Sequence, residues 1–160
     1  MIVNQQALLN ASPIQDMIHV KGSYRGYSYG LTECGYDIRI VQDVWLFLGR
    51  RFVLASSMER FQMPNNLMGR VLNKSTWARL GVDASMTTNI EPGWNGYLTI
   101  ELRYSRARPL FIPAGVGIAQ VIFESLSETA QYVGKYQNQG NKPVAAIVAN
   151  PPKSEWAHVA

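Results

Sequence analysis

Residues Tyr97–Tyr104, YLTIELRY, alternate without a break. Leu98, Ile100, Leu102 and Tyr104 fall on one side of an extended chain; Tyr97, Thr99, Glu101 and Arg103 fall on the other. A period of two fits a half-buried strand and not a helix, because successive strand side chains point to opposite faces. Such a strand needs partners, and the sequence offers them as apolar runs at Tyr36–Val41, Val44–Leu48, Phe52–Ala55, Leu67–Leu72, Pro109–Pro113 and Val116–Phe123. Turn signals separate the runs: Pro64-Asn65-Asn66, Pro92-Gly93, Asn95-Gly96 and Pro113-Ala114-Gly115. Many short strands at regular spacing predict a mainly β chain, a barrel or jelly roll.

Helix signals are few. Asn4 is placed to cap a short helix over 4–10, with Val3 and Leu8 set for a hydrophobic staple and Ser12-Pro13 ending it. Ser75–Leu80 is the only internal candidate. Residues 21–36, rich in Gly, Ser and Tyr, read as loop. With 160 residues and no repeat or linker, one domain spanning 1–160 is expected. The Pro-, Asn- and Gly-rich stretch at about 137–160 reads as an arm that orders on substrate or a neighbouring subunit.

Composition narrows the function. A net charge of +4 with no basic run argues for no nucleic-acid partner, while a small polyanion fits. One cysteine excludes an intrachain disulfide, and two distant histidines make a zinc site improbable. The N-terminal MIVNQQALLN has no basic region followed by a long apolar core, and no run approaches a membrane span. A soluble, cytoplasmic protein is expected.

Three segments and a tail could carry chemistry. In Lys74-Ser75-Thr76-Trp77-Ala78-Arg79, a helical turn starting at Ser75 would aim free N–H groups at an anion, and Ser75 and Arg79 would share a face. An ordinary capped turn with solvated charges fits the same residues. Thr87-Thr88-Asn89-Ile90-Glu91-Pro92-Gly93-Trp94-Asn95-Gly96 reads as a tight hairpin that could present backbone groups to a base edge and Glu91 to a sugar hydroxyl. It could equally satisfy its own backbone. Glu101, mid-strand, is either a polar-face residue beside Arg103 or a general base with a tuned pKa. Tyr132–Gln139 could close over a triphosphate or remain a polar tail.

In combination these segments are more specific. The run FVLASSMERFQMPNNLMGRVLNKSTWARLGV, then TTNIEPGWNGYLTIE, then PAGVGIAQVIF, with GYDIR upstream and a K-Y-x-x-Q tail at Lys135–Gln139, resembles the dCTP deaminase branch of the dUTPase-like superfamily. The resemblance covers most of residues 35–140. It implies a homotrimer of distorted β-barrels with active sites at subunit interfaces and zinc-independent deamination of dCTP to dUTP. By the same resemblance Glu101 activates water, while Ser75 and Arg79 orient that water and the glutamate. Lys74 would meet phosphate where the family usually has arginine, a point charge in place of a fork. Thr76 stands for the second serine of the family's pair. Thr87, Thr88, Asn89, Glu91 and Trp94 match the base- and sugar-binding hairpin. Gln120, Tyr132, Lys135 and Gln139 match triphosphate and closing-tail positions. Mg²⁺ is expected on the triphosphate, held mainly by phosphate oxygens and water.

The sequence departs from the family at two informative places. Glu91 replaces the usual aspartate, and the loop between Gly81 and Ile90 looks one residue short. Alternatives to a deaminase are a dUTPase, a bifunctional enzyme taking dCTP to dUMP, or a non-catalytic nucleotide-binding trimer. Glu101 favours deamination, since simple dUTPases lack a catalytic glutamate on that strand.

Overall fold

The computed structural model describes residues 1–148. In chain order it has β1 (Ile2–Val3), α1 (Gln5–Ala11), β2 (Lys21–Tyr24), β3 (Tyr27–Leu31), β4 (Tyr36–Arg39), β5 (Val44–Leu46), β6 (Phe52–Gln62), β7 (Leu67–Asn73), α2 (Ser75–Leu80), β8 (Val82–Asp83), β9 (Asn89–Ile90), β10 (Asn95–Tyr104), β11 (Leu110–Ile112) and β12 (Gly117–Ser125). A short 3₁₀ turn, Ser85–Thr87, precedes β9. The expected mainly β architecture is observed. One sheet runs β2-β3-β4-β12-β7-β9, with β1 also on β12; a second runs β6-β10-β8; β5 and β11 form a separate pair.

The alternation in YLTIELRY sets the second sheet. Leu98, Ile100, Leu102 and Tyr104 are buried, and the opposite face carrying Thr99 and Glu101 stays partly open. β6 pairs antiparallel with β10 and is much longer than its apolar start suggests. Ser57 and Glu59 interrupt the apolar run but are buried, because each is satisfied. The Ser57 hydroxyl accepts from the Leu98 amide at 2.8 Å, where the β6–β10 register shifts, and donates to the Glu59 carbonyl at 2.7 Å. Glu59 receives the Arg39 amide at 2.7 Å and the Arg39 guanidinium at 2.8 Å.

Residues 21–36 are not loop throughout. β2 and β3 form an antiparallel hairpin turned at Arg25-Gly26, both with positive φ (51° and 81°), the twist that suits a two-residue hairpin loop. Their glycines and serines hid the strand pattern. Asn4 stands at the N-cap of α1 but makes no capping bond; its amide donates to the Glu33 carbonyl instead.

α2 matches the expected Ser75–Leu80. Six residues cannot hold a helix by themselves, and Trp77 pins this one. Its ring is buried, stacks on Tyr27 at 4.4 Å between centroids, and donates its indole N–H to the Gly117 carbonyl at 2.7 Å. Gly81 ends the helix at φ +94°, and a Cβ there would lie 2.6 Å from Arg106 Cγ.

Two expectations change. Residues 89–96 are not a hairpin: β9 pairs with β7 in one sheet and β10 with β6 in the other. The Glu91–Trp94 turn therefore crosses between sheets, which explains why it can shape a cavity. The described part of the arm orders on its own chain. Asn138 N donates to the Asn95 carbonyl at 2.8 Å, Tyr97 N to the Gln139 carbonyl at 3.0 Å, and Gln139 bridges Gly96 in parallel. The rest of the arm, 149–160, lies outside the described residues. No helix of the described residues is long and apolar enough to cross a membrane.

Candidate active site

A cavity of about 450 Å³ opens on the polar face of β10. Glu101 and Thr99 form its floor, Phe52 and Leu54 of β6 one wall, and Thr87, Asn89, Glu91 and Trp94 the crossing segment. The arm covers it with Tyr132, Tyr136, Gln139, Val144 and Ala146.

Glu101 is held by its strand and by the loop that reaches it: its amide donates to Thr87 Oγ1 at 2.9 Å. The carboxylate has no hydrogen bond or ion pair among the described residues, and burial alone raises its pKa above the ordinary value. A carboxyl raised in this way is a stronger base and can take a proton from water and return it.

The 82–89 loop is braced from within. The Asp83 carboxylate accepts from Ser85 Oγ at 2.6 Å, Ser85 N at 2.9 Å and Asn73 Nδ2 at 2.9 Å, and these bonds hold its pKa below the usual range. Thr88 adopts φ 62°, ψ −116°, a strained conformation for a β-branched residue, while its carbonyl accepts from the Val71 amide at 2.9 Å. Its strain turns the chain between Thr87, on the cavity, and β9.

Trp94 is a wall of the cavity and an anchor for the arm. Its indole N–H donates to the Tyr136 carbonyl at 2.7 Å, and Asn95 N donates to Gln137 Oε1 at 2.6 Å. Gln139 is engaged with protein: its Oε1 accepts from Thr99 Oγ1 at 2.8 Å, and that hydroxyl also accepts from Val144 N at 3.0 Å. Lys135 is exposed, lies 5.2 Å from the Tyr136 ring centre and donates to the Ile147 carbonyl.

The structure thus brings Glu101, Thr87, Asn89, Glu91, Trp94, Tyr132 and Gln139 together around one cavity. Thr88 does not line it: its amide donates to the Ser85 carbonyl at 3.3 Å and its carbonyl accepts from the Val71 amide at 2.9 Å. It does not bring Lys74, Ser75, Thr76, Arg79, Gln120 or Lys135 to the same cavity. Ser75, Thr76 and Arg79 are exposed on α2. Lys74 is mostly buried and pairs with Asp37, with Ser28 Oγ 2.9 Å from its ammonium. Gln120 stands opposite Asp37 across β12 and β4 and donates to Thr32 Oγ1 at 3.2 Å. Lys74, Asp37 and Gln120 form a second polar group on the other sheet.

Sequence reasoning missed several members. Thr99 shares the Glu101 face of the alternating strand, so the alternation itself could have found it. Asp37 lies within GYDIR but carried no assigned role. Phe52, Leu54, Tyr136, Val144 and Ala146 reach the cavity only through the sheet pairing and the returning arm, for which no local pattern exists.

The fold of these sheets belongs to a class that solved structures share. The chain is similar to the EIAV dUTPase (TM-score 0.53, 18% identity, 73% of this chain and 92% of that one). It is also similar to the 2′-deoxycytidine 5′-triphosphate deaminase of Agrobacterium tumefaciens (TM-score 0.57, 10% identity, 81% of this chain and 50% of that one). Within that class the sequence is specific. Residues 38–126 match the dCTP deaminase-like family model. Curated relatives include the dCTP deaminases of Herpetosiphon aurantiacus, 36% identical over 75% of this chain and 84% of the relative, and of Roseiflexus castenholzii, 35% identical over 70% and 78%. The chain belongs to the dCTP deaminase-like family.

Proposed function

We infer that this chain is an enzyme that hydrolyses dCTP to dUTP and ammonia. The observation that carries the chemistry is Glu101, a carboxyl raised by burial, without a counter-charge among the described residues, at the floor of a cavity of nucleoside size. In the proposed step Glu101 takes a proton from a water that attacks C4 of cytosine. The same carboxyl then delivers the proton to the 4-amino group, which leaves as ammonia. Thr87 and Asn89, which line the cavity, would read the base, and Glu91 would meet the sugar hydroxyl.

The second half of the site is expected from a neighbouring copy. Ser75 and Arg79 are exposed and stand outside the Glu101 cavity of their own chain. That separation supports the homotrimer, in which α2 of one subunit faces Glu101 of the next. Arg79 would then limit how far the Glu101 pKa rises. The Lys74–Gln120 group and Lys135 would serve the triphosphate, with Lys74 turning partly from Asp37 to phosphate. Among the described residues no three His, Cys, Asp or Glu side chains converge. A Mg²⁺ ion would arrive on the triphosphate with phosphate oxygens and water as its ligands. A cytoplasmic location fits a nucleotide substrate.

Glu91 in the same cavity supports a second reading, a bifunctional enzyme that carries dCTP on to dUMP. Incubation with dCTP and Mg²⁺, with chromatographic separation of products and Glu101→Gln as control, decides between them. Accumulated dUTP and a dead control are expected. Accumulated dUMP selects the second reading, and cleavage of dUTP with dCTP untouched selects a dUTPase.

A further inference from the structure

Four arginines scattered along the sequence meet at one end of the molecule. Arg50 and Arg51 lie in the connection between β5 and β6; Arg106 and Arg108 lie in that between β10 and β11. The two connections are tied together. Tyr104 N donates to the Arg51 carbonyl at 2.8 Å, and Tyr104 OH donates to the Arg108 carbonyl at 2.7 Å. All four arginines are exposed, and none pairs with a carboxylate of the described residues. The nearest acidic residues along these elements are committed elsewhere: Asp43 accepts from Ala114 N at 2.7 Å, and Asp83 braces Ser85 and Asn73.

Aromatic rings stand beside this charge. Trp45 and Phe111 are paired across β5 and β11, with ring centres 4.8 Å apart, yet remain 52% and 37% exposed. Phe47, in bridge pairing with Arg50, is 40% exposed. A strand residue turned to water is ordinarily polar, so an outward Trp–Phe pair is a surface with an apolar partner to meet. None of these residues lines the Glu101 cavity or belongs to α2.

We propose that this end of the molecule binds single-stranded nucleic acid, the arginines meeting phosphates and Trp45, Phe47 and Phe111 stacking on unpaired bases. Arginine clusters track a phosphate backbone, and aromatic faces add sequence-tolerant stacking available only where bases are unpaired. Arg106 Nη2 donates to the Arg79 carbonyl at 3.4 Å, but none of the four guanidinium groups has a counter-charge among the described residues, so a purely apolar partner would desolvate them at a cost; a polyanion satisfies both halves of the surface. The charge is invisible as a run in the sequence because two separate connections supply it.

The test is fluorescence anisotropy of the full chain with a labelled oligothymidylate, with a duplex of equal length as competitor. Binding that weakens roughly fifty-fold between 50 and 200 mM salt is expected if about four phosphates are contacted. Trp45→Ala should weaken it about five-fold or more, with Trp45→Phe restoring most of the loss. Arg50→Glu combined with Arg108→Glu should abolish it, while dCTP turnover stays unchanged in every variant. No binding at low salt overturns the proposal, as does binding indifferent to all these variants. Preference for the duplex also overturns the proposal. If Trp45→Ala instead dissociates the oligomer without altering oligonucleotide binding, the surface is a subunit contact and the proposal falls.

Discussion

The backbone amide of Glu101 donates to the side-chain hydroxyl of Thr87 at 2.9 Å. This bond joins the strand that carries the Glu101 carboxyl to the loop that lines the same cavity. It fixes the 82–89 loop against β10 beside the cavity.

Thr87→Val keeps the shape and removes the acceptor. The orphaned Glu101 amide should cost about 1–2 kcal/mol of stability. Misplacement of the carboxyl should lower kcat/KM by roughly ten-fold or more. Denaturant unfolding and steady-state kinetics read the two effects; wild-type kinetics would show that the bond does not position Glu101.

Glu101→Gln should reduce kcat by about 10²–10⁴-fold, the usual worth of a general acid–base group. It should also change the pH dependence of stability. Burial raises the folded-state pKa of Glu101, so its protonation favours the folded state below the unfolded carboxyl value of about 4.3. That contribution is lost as pH rises through the folded value. The variant should therefore melt higher than wild type at neutral pH and equal to it near pH 4. A lower melting temperature at neutral pH would mean that the carboxylate has a stabilising partner.

Thr88→Gly removes a side chain from φ 62°, ψ −116°. Relief of strain worth about 1–3 kcal/mol should outweigh the added unfolded-state entropy, which is under about 1 kcal/mol. Thermal melts should show a gain in stability, accompanied by lower turnover as the loop loses its fixed path. A destabilised variant would show that the Thr88 side chain contributes more than its strain costs.

Gly96 stands where β10 meets the arm. At φ +137°, a Cβ would lie 2.6 Å from Gln139 N and 2.9 Å from its carbonyl oxygen. Gly96→Ala should lift the arm off β10, speed proteolytic cleavage near residue 139 and raise KM for dCTP. Unchanged cleavage rates would mean that the arm is held elsewhere.

Mixing two inactive proteins, Glu101→Gln and Arg79→Ala, after denaturation and refolding together tests the shared site. If α2 serves the neighbouring cavity of a trimer, one site in each mixed trimer holds both native residues, about a quarter of all sites after random equal mixing, and activity returns to that level. No recovery would place Arg79 and Glu101 in the same chain's site.

The alternation of YLTIELRY determined β10, its buried face and the face on which Glu101 stands, because side-chain direction in a strand follows sequence position. Ser75–Leu80 and most of the other strands were equally legible, each set by a local apolar pattern between turn residues. The motifs carried the family. The sequence could not reveal the β2–β3 hairpin, where glycine and serine dilute the pattern, or the inner half of β6, whose Ser57 and Glu59 look exposed until Leu98 and Arg39 satisfy them. The tertiary structure alone decided that the Glu91–Trp94 turn crosses between sheets and that the arm returns to its own β10. It alone placed Ser75 and Arg79 outside the Glu101 cavity and gathered Arg50, Arg51, Arg106 and Arg108 at one end. Each of these depends on contacts between residues distant in sequence. A local pattern carries no information about which distant strand or loop will supply the other half of a contact.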